Sequence, residues 1–398
     1  MTEYTNAEKA RLEEAAFNKA VDALEASELP TANIMVAGIT GAGKSTLLNA
    51  VFGADVATTG RGRPVTEQID EYHTPDIPIH IWDTVGLEID TQKTKDSIAA
   101  IRNVIAQKSD DTDPFNRIHA IWYCINSGSN RYQGAELDFI NTLYSLGVPF
   151  IIVLTQCYGD EEEVNEFAAR INEINAQRGL IDVPVVQVLA QDFKTRGFVV
   201  PSFGLEDLVN VTLEKLPSFV KSGFAAAQRV SKQQKRLECE EEIYKYVALA
   251  RKGFWDKILF VNIISANKRV LKMFEAIGKI YNTALTPESI EKITSESGID
   301  FSNAFFGLIN PLDMNYSKKV TRLLQEKKED GFNVEIESFE HNEKVARLLA
   351  FYGYTFVDSI EELWESFTEA QLKDLDIVVR NLIGIINDKL KDRKPRKN

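Results

Sequence analysis

Cysteine is scarce in this chain: Cys124, Cys157 and Cys239 are all it has in 398 residues, far apart and without a CxxC pair. Neither a disulfide framework nor a zinc-binding spacing is indicated. The four histidines are equally scattered. An excess of basic residues is missing too. Lys and Arg number 46 against 59 Asp and Glu, a net charge of −13, which argues against nucleic acid as a partner. No apolar run reaches the roughly eighteen residues of a membrane span, and the opening MTEYTNAEKARLEE is too charged for a signal peptide. No internal repeat is evident. These absences lead to the expectation of a soluble, cytoplasmic protein. What is present is ordinary for a globular chain, 44% hydrophobic and 26% charged, and long enough for two or three domains.

Three regions are expected. In residues 1–30, Thr5 and Glu8 have capping-box spacing, and Leu12, Ala16, Ala20 and Leu24 recur every fourth residue, so a leading helix over 5–28 ends at Pro30. Residues 31–220 alternate between strands and helices. The runs NIMVAGI (33–39), IPIHIWD (77–83), RIHAIWYCIN (117–126), VPFIIVL (148–154) and VPVVQVL (183–189) read as buried strands. Amphipathic stretches at 92–107, 133–146 and 161–178 separate most of them. Continuous apolar strands between helices predict an α/β fold with a doubly wound, mostly parallel sheet. EQIDEYHT (67–74) alternates in polarity and reads as an edge strand. Residues 221–398 show helical patterns at 225–252, 255–282, 287–297, 315–329, 341–352 and 358–390, the last with a break, and so predict an all-helical domain.

The chemistry is concentrated in GITGAGKS, which fits G-x-x-x-x-G-K-[ST] with Gly38, Gly43, Lys44 and Ser45, and has an extra glycine at Gly41. It follows a strand and opens a helix, the context a phosphate-binding loop needs. Backbone N–H groups must turn inward around phosphate oxygens, where side chains would block the approach, and the helix amino terminus adds partial positive charge. Gly41, Ala42, Gly43, Lys44, Ser45 and Thr46 are the expected phosphate contacts. Lys44 is expected to face solvent until it reaches the outer phosphates. Further on, WDTVG ends a strand. Asp83 there is placed to hold Mg²⁺ through water, and the Gly86 N–H to sense a γ-phosphate. Thr66, in the loop RGRPVTEQ, is placed to close on the same ion, so Ser45, Thr66 and Asp83 form the expected metal set.

Together, GITGAGKS, Thr66 and DTVG resemble the translation-factor-related P-loop GTPases, in particular the Era/TrmE/septin-like group. The resemblance covers roughly residues 31–217. The architecture, a GTPase domain followed by helices, is similar to that of immunity-related GTPases and of bacterial GTPases with a helical carboxyl-terminal domain. The resemblance implies GTP or GDP as ligand, Mg²⁺ as cofactor and hydrolysis of the β–γ anhydride.

Two departures stand out. The family reads its base with [NT]-K-x-D; here the matching strand end is TQCY, so Thr155 matches, Gln156 stands for the Lys and Tyr158 for the Asp. Asp160 is a conjectural substitute. The family's last motif falls at VLAQD, with the Ala190 N–H facing the guanine O6. The second departure is Leu87, which occupies the place of the water-orienting Gln in many small GTPases and cannot hydrogen-bond. Potassium-stimulated relatives carry Asn where this chain has Gly41, which counts against potassium activation. Arg61 and Arg63 are candidates for stabilising transition-state charge, in cis or across a dimer, with Glu88 a further candidate to complete the site. Trp82, Trp122 and Tyr123 read as core, DEEEV (160–164) as charge at a helix start, and FWDKILFVNII (254–264) as a buried helix, with a shallow membrane face as its alternative.

The expected function is a switch in which Mg-GTP orders the 54–66 and 84–97 loops and the helical domain passes that state to an effector or to self-assembly, with slow turnover in the monomer. A homodimer across the nucleotide face and a peripheral membrane contact stay open, as do a self-assembling membrane GTPase of the dynamin or immunity-related kind and a scaffold with a structural nucleotide.

Overall fold

The computed structural model describes residues 29–53, 63–66, 69–73, 77–84, 99, 101–108, 113–129, 132, 135–251, 259–299 and 336–392. The expected helices at 5–28 and 315–329 lie outside these residues. The described chain forms two compact units, one from Leu29 to Gln234 and one from Lys235 on.

The first unit is built on a seven-stranded sheet of order β2-β3-β4-β1-β5-β6-β7. Its strands are β1 Ala32–Gly38, β2 Arg63–Thr66, β3 Ile69–His73, β4 Ile79–Thr84, β5 Ala120–Asn126, β6 Phe150–Thr155 and β7 Val185–Gln187. β4, β1, β5, β6 and β7 run parallel, and β3 is antiparallel to both its neighbours. Around the sheet lie α1 Lys44–Phe52, α2 (101–108), α3 Ala135–Tyr144, α4 Glu161–Gln177, α5 Leu205–Lys215 and α6 Lys221–Ala227. A small hairpin, β8 Phe193–Lys194 with β9 Val199–Val200, follows β7. The mostly parallel, doubly wound sheet is the one expected. The edge position is not: β3 pairs on both sides, and β2 forms the edge. The segment holding Pro64 and Thr66, expected as a loop, is that edge strand, where a proline's missing donor is tolerated.

Alternation along β1 explains why both faces are covered. Ala32, Ile34 and Val36 pack with Leu47, Leu48, Val51 and Phe52 of α1 and with α5 and α6. Met35 and Ala37 pack on the other face with Ile101, Phe139, Phe167 and Ile171. Trp122 is fully buried, stacks on Phe52 at 5.8 Å, and donates its indole N–H to the Thr212 hydroxyl at 3.1 Å. Trp82 and Tyr123 are buried too, as expected. α6 lies past residue 220, the expected boundary, yet belongs to this core. Phe224 meets Phe52 edge-on, and Ala225 and Ala227 are fully buried. Helical periodicity alone did not tell a covering helix of the sheet from the start of the next domain.

The second unit contains α7 Lys232–Arg251, α8 Leu259–Ile280, α9 Pro287–Glu296, α10 Ile336–Ser366, α11 Glu369–Leu372 and α12 Leu375–Asp392. The expected 225–252 helix is interrupted, because the Gln228 side chain accepts from the N–H groups of Val230 and Ser231 and turns the chain before α7 starts. The reading ended a helix at 352, but α10 continues through Gly353. There a Cβ would come within 2.7 Å of Ile243, so the glycine lets α7 and α10 approach closely. The break within 358–390 falls between α10 and α12. Arg236 is held by Asp358 at 2.8 Å, Glu361 at 2.5 Å and Glu240 at 3.5 Å, and the Tyr281 hydroxyl donates to Glu361 at 3.0 Å. Of the 254–264 segment, only the helical backbone from Leu259 is described. Among the described residues no helix is long and apolar enough to cross a membrane.

Candidate functional site

The order of strands reverses at β1, which has β4 on one side and β5 on the other. In open α/β sheets ligands bind at such a point, outside the carboxyl ends of the strands. The loop between β1 and α1 begins there. Gly38 lies so close to β5 that a Cβ would stand 2.4 Å from the Cys124 carbonyl oxygen. Gly41 and Gly43 have φ of 78° and 79°, in the left-handed region that glycine enters at no steric cost. The three glycines of the sequence motif are thus set by backbone geometry, and the α1 amino terminus opens directly after them.

Lys44 is buried, at 9% exposure, and its ammonium donates to the Gly38 carbonyl at 3.2 Å. This corrects the expectation of a solvent-facing lysine. Folded over its own loop, the ammonium needs an acceptor, and the Gly38 carbonyl supplies it. Ser45 and Thr46 are exposed in the first turn of α1, open to a ligand.

Asp83, near the end of β4, pairs in register with Val36 of β1. Its Oδ1 is buried and has no hydrogen-bond partner among the described residues. Burial pushes its carboxyl up to about 6, Lys44 opposes that shift, and the carboxylate of Asp70 adds to it. A buried, unsatisfied carboxylate oxygen beside an ammonium is costly unless a further cation or donor meets it. Asp83 and the exposed Ser45 hydroxyl therefore fit a hard divalent cation with oxygen ligands. Arg63 and Thr66 are placed by backbone only, in β2, while Arg61, Gly86, Leu87 and Glu88 lie outside the described residues.

The end of β6 locks onto the phosphate loop. The Thr155 hydroxyl donates to the Ala42 carbonyl at 2.6 Å, with the Ile125 carbonyl 3.1 Å away. The Gln156 amide donates to the Gly41 carbonyl at 2.8 Å. Gln156 adopts φ 55°, a left-handed conformation rare outside glycine, and the Tyr158 N–H closes a tight turn onto its carbonyl at 2.8 Å. Thr155 and Gln156, expected at the base, are thus both bonded to the glycine loop itself. Ala190 follows β7, half-buried against the core. Asp160 serves its own helix. Its Oδ1 caps α4, accepting from Glu162 N–H at 3.0 Å and Glu163 N–H at 3.3 Å, and three glutamates fill the first turn. The reading of 160–164 as a helix start is the one that fits.

Sequence reasoning missed two residues. Phe193 stacks on Tyr158 with centroids 4.1 Å apart and planes 12° from parallel. Its only local signal was the turn at 195–198, where the Thr195 hydroxyl oxygen accepts from Gly197 and Phe198. Asp70 bears on Asp83 from β3, a neighbour only the sheet pairing reveals.

A strand, a glycine loop that turns its backbone inward, a helix start and a strand-end Asp define a P-loop nucleotide-binding domain. Residues 33–156 match the family model described as 50S ribosome-binding GTPase, which marks this segment as a P-loop GTPase domain. Among solved structures, the chain is similar to a probable GTP-binding protein engB at 18% identity, covering 48% of this chain and 99% of that one, TM-score 0.32. It is also similar to an Aquifex aeolicus Era variant bound to GDP.AlF4-, at 18% identity over 56% of this chain and 68% of that one, TM-score 0.32. A bacterial selenocysteine-specific elongation factor EF-Sec matches at 17% identity and TM-score 0.31, over 46% of this chain and only 28% of that protein's length. No curated protein matches.

Proposed function

We propose that the chain binds GTP and GDP with Mg²⁺ and hydrolyses the β–γ anhydride of GTP, acting as a switch whose state the helical part passes to a partner or to self-assembly. The observation that carries this is the pairing of a glycine-built loop, with Lys44 folded over it, and the orphaned Asp83 carboxylate at the neighbouring strand end. Lys44 exchanges the Gly38 carbonyl for phosphate oxygens, a charge-assisted bond stronger than the one it leaves. The α1 amino terminus and the loop N–H groups of 41–46 hold the remaining phosphate charge. Ser45 and Asp83 would hold Mg²⁺, with Thr66 of β2 as a third ligand; the ion supplies charge neutralisation on the phosphates.

Phosphoryl transfer needs positioning and charge stabilisation more than covalent help from protein. With Leu87 at the water-orienting place, the monomer turns over slowly, and Arg61, Arg63 or Glu88 of a second copy or a partner completes the site. Titrating a fluorescent GTP analogue into wild type and Lys44→Ala, with and without Mg²⁺, tests the binding step. Tight, Mg²⁺-enhanced binding by wild type alone is expected, and equal affinities would remove the assignment. Phosphate release measured against protein concentration separates a slow switch from a structural nucleotide, which would be retained without turnover.

A further inference from the structure

Tyr158 stands where the family pattern has its base-reading Asp, and the surrounding bonds fix it as part of a wall. Two residues earlier, Gln156 grips the phosphate loop at Gly41, and the Tyr158 N–H returns to Gln156, so the backbone that carries the ring is tied to that loop. The Cys157 N–H donates to the Val188 carbonyl at 3.3 Å, tying this turn to the end of β7. From the other side, Leu189 and Phe203 exchange two backbone bonds at 3.0 Å and anchor the β8–β9 hairpin, which brings Phe193 flat against Tyr158. One face of Tyr158 is thus covered by Phe193, while the residue stays 38% exposed. An aromatic ring, backed by a second ring, partly open to solvent and two residues from a side chain that grips the phosphate loop, is a stacking surface for a base.

Among the described residues, two aspartates that follow in the chain each have an oxygen engaged elsewhere. Asp160 caps α4, and Asp192 accepts from the Ser202 N–H at 3.0 Å. Ala190, between the Val188 and Leu189 bonds and Asp192, has an N–H with no partner among the described residues. A donor there selects an oxygen at position 6 of a purine and disfavours the amino group of adenine.

Resting on the nucleotide-binding reading above, we propose that this site takes 6-oxopurine nucleotides as a class. The base is held by stacking on Tyr158, backed by Phe193, with the Ala190 N–H at O6 and no carboxylate reading the N1 and 2-amino edge. Guanine, hypoxanthine and xanthine nucleotides then differ little. A site built on a paired carboxylate instead rejects partners that lack its hydrogen bonds by factors on the order of 10⁴.

Calorimetric titration of the full chain in Mg²⁺ with GDP, IDP, XDP, ADP and inorganic tripolyphosphate tests this. GDP, IDP and XDP are expected to bind within about tenfold of one another, and ADP at least about tenfold more weakly than GDP. Tyr158→Leu should weaken GDP about tenfold and leave tripolyphosphate unchanged, while Tyr158→Phe, which keeps the ring, should bind GDP like wild type. Tyr158→Asp should create a preference for GDP over XDP. Rejection of IDP or XDP by about 10³-fold or more, or GDP affinity indifferent to Tyr158→Leu, overturns the proposal while leaving the phosphate site standing. Failure of wild type to bind both GDP and tripolyphosphate, or equal binding by Lys44→Ala, would instead remove the nucleotide reading itself.

Discussion

The two ends of the nucleotide site are made differently. At the proposed phosphate end, Gly38, Gly41 and Gly43 shape the backbone, which offers main-chain N–H groups and one ammonium to a ligand. At the base end, side chains form the wall: Thr155 and Gln156 reach back to the loop, and Tyr158 stacks on Phe193. Backbone chemistry admits few sequences, since glycine enters a positive φ at no steric cost and alone fits against a carbonyl at 2.4 Å. Side-chain chemistry admits many, because stacking and hydrogen bonding are alternative ways to hold one base. The family match takes in the glycine loop and ends at Gln156.

The largest effect should come from breaking the backbone-built end. Gly38→Ala forces a Cβ against the Cys124 carbonyl in the middle of the sheet. It should destabilise the first unit by about 3 kcal/mol or more, seen as a lowered urea midpoint along with lost nucleotide binding. Wild-type stability would show that the loop has room the structure does not give it. Lys44→Ala comes next. It should cost on the order of 100-fold in GDP affinity, with a smaller loss in the thermal midpoint than Gly38→Ala, because the bond to Gly38 and the charge beside Asp83 are lost without any backbone clash.

Thr155→Val cuts the link between the two ends while keeping the side chain's shape. The Ala42 carbonyl loses its buried donor, so stability should fall by about 1 kcal/mol and GDP affinity by about tenfold. Unfolding and titration of one preparation read both, and unchanged affinity would show that the ends act independently.

The smallest effect on nucleotide binding lies away from the site and serves as a control. Burial pushes His80 down to about 4, helped by His73 and Lys108, although the Glu71 carboxylate is 3.5 Å from its Nδ1. Burial also lowers His119, whose Nδ1 accepts from Asn33 N–H and whose Nε2 donates to the Pro114 carbonyl. A histidine neutral in the fold but protonated when unfolded gives the unfolded state more bound protons. Its contribution is therefore intact above about 6.5, the ordinary histidine value, and is lost as pH falls towards 4. His80→Gln should remove that loss, so the variant gains on wild type between pH 6.5 and 4 in urea unfolding. Parallel pH profiles would show that His80 takes up its proton in the fold as readily as in the unfolded chain.

Legibility followed the same division. The sheet, its parallel character and the phosphate loop were plain in the sequence, because apolar runs and glycine spacing are local signals. The place of β3 was not, since alternating polarity in IDEYH describes a half-buried strand without saying how many neighbours it has. Lys44 was misread because its burial depends on a carbonyl six residues back, on the other side of the loop. Asp160 looked like a spare carboxylate until its helix claimed it. Phe193 carried no motif, and only the hairpin brings it to Tyr158. In the helical unit, Gly353 looked like an end and proved to be a point of close helix approach.

The central claim, that the phosphate end is built to hold and cleave GTP, is tested most directly by γ-phosphate release from Mg-GTP at rising protein concentrations, for wild type and Lys44→Ala. Slow release by wild type is predicted, with specific activity rising as the concentration is raised, and none above background from the variant. Equal release by both proteins, or none from wild type at any concentration, would contradict the account.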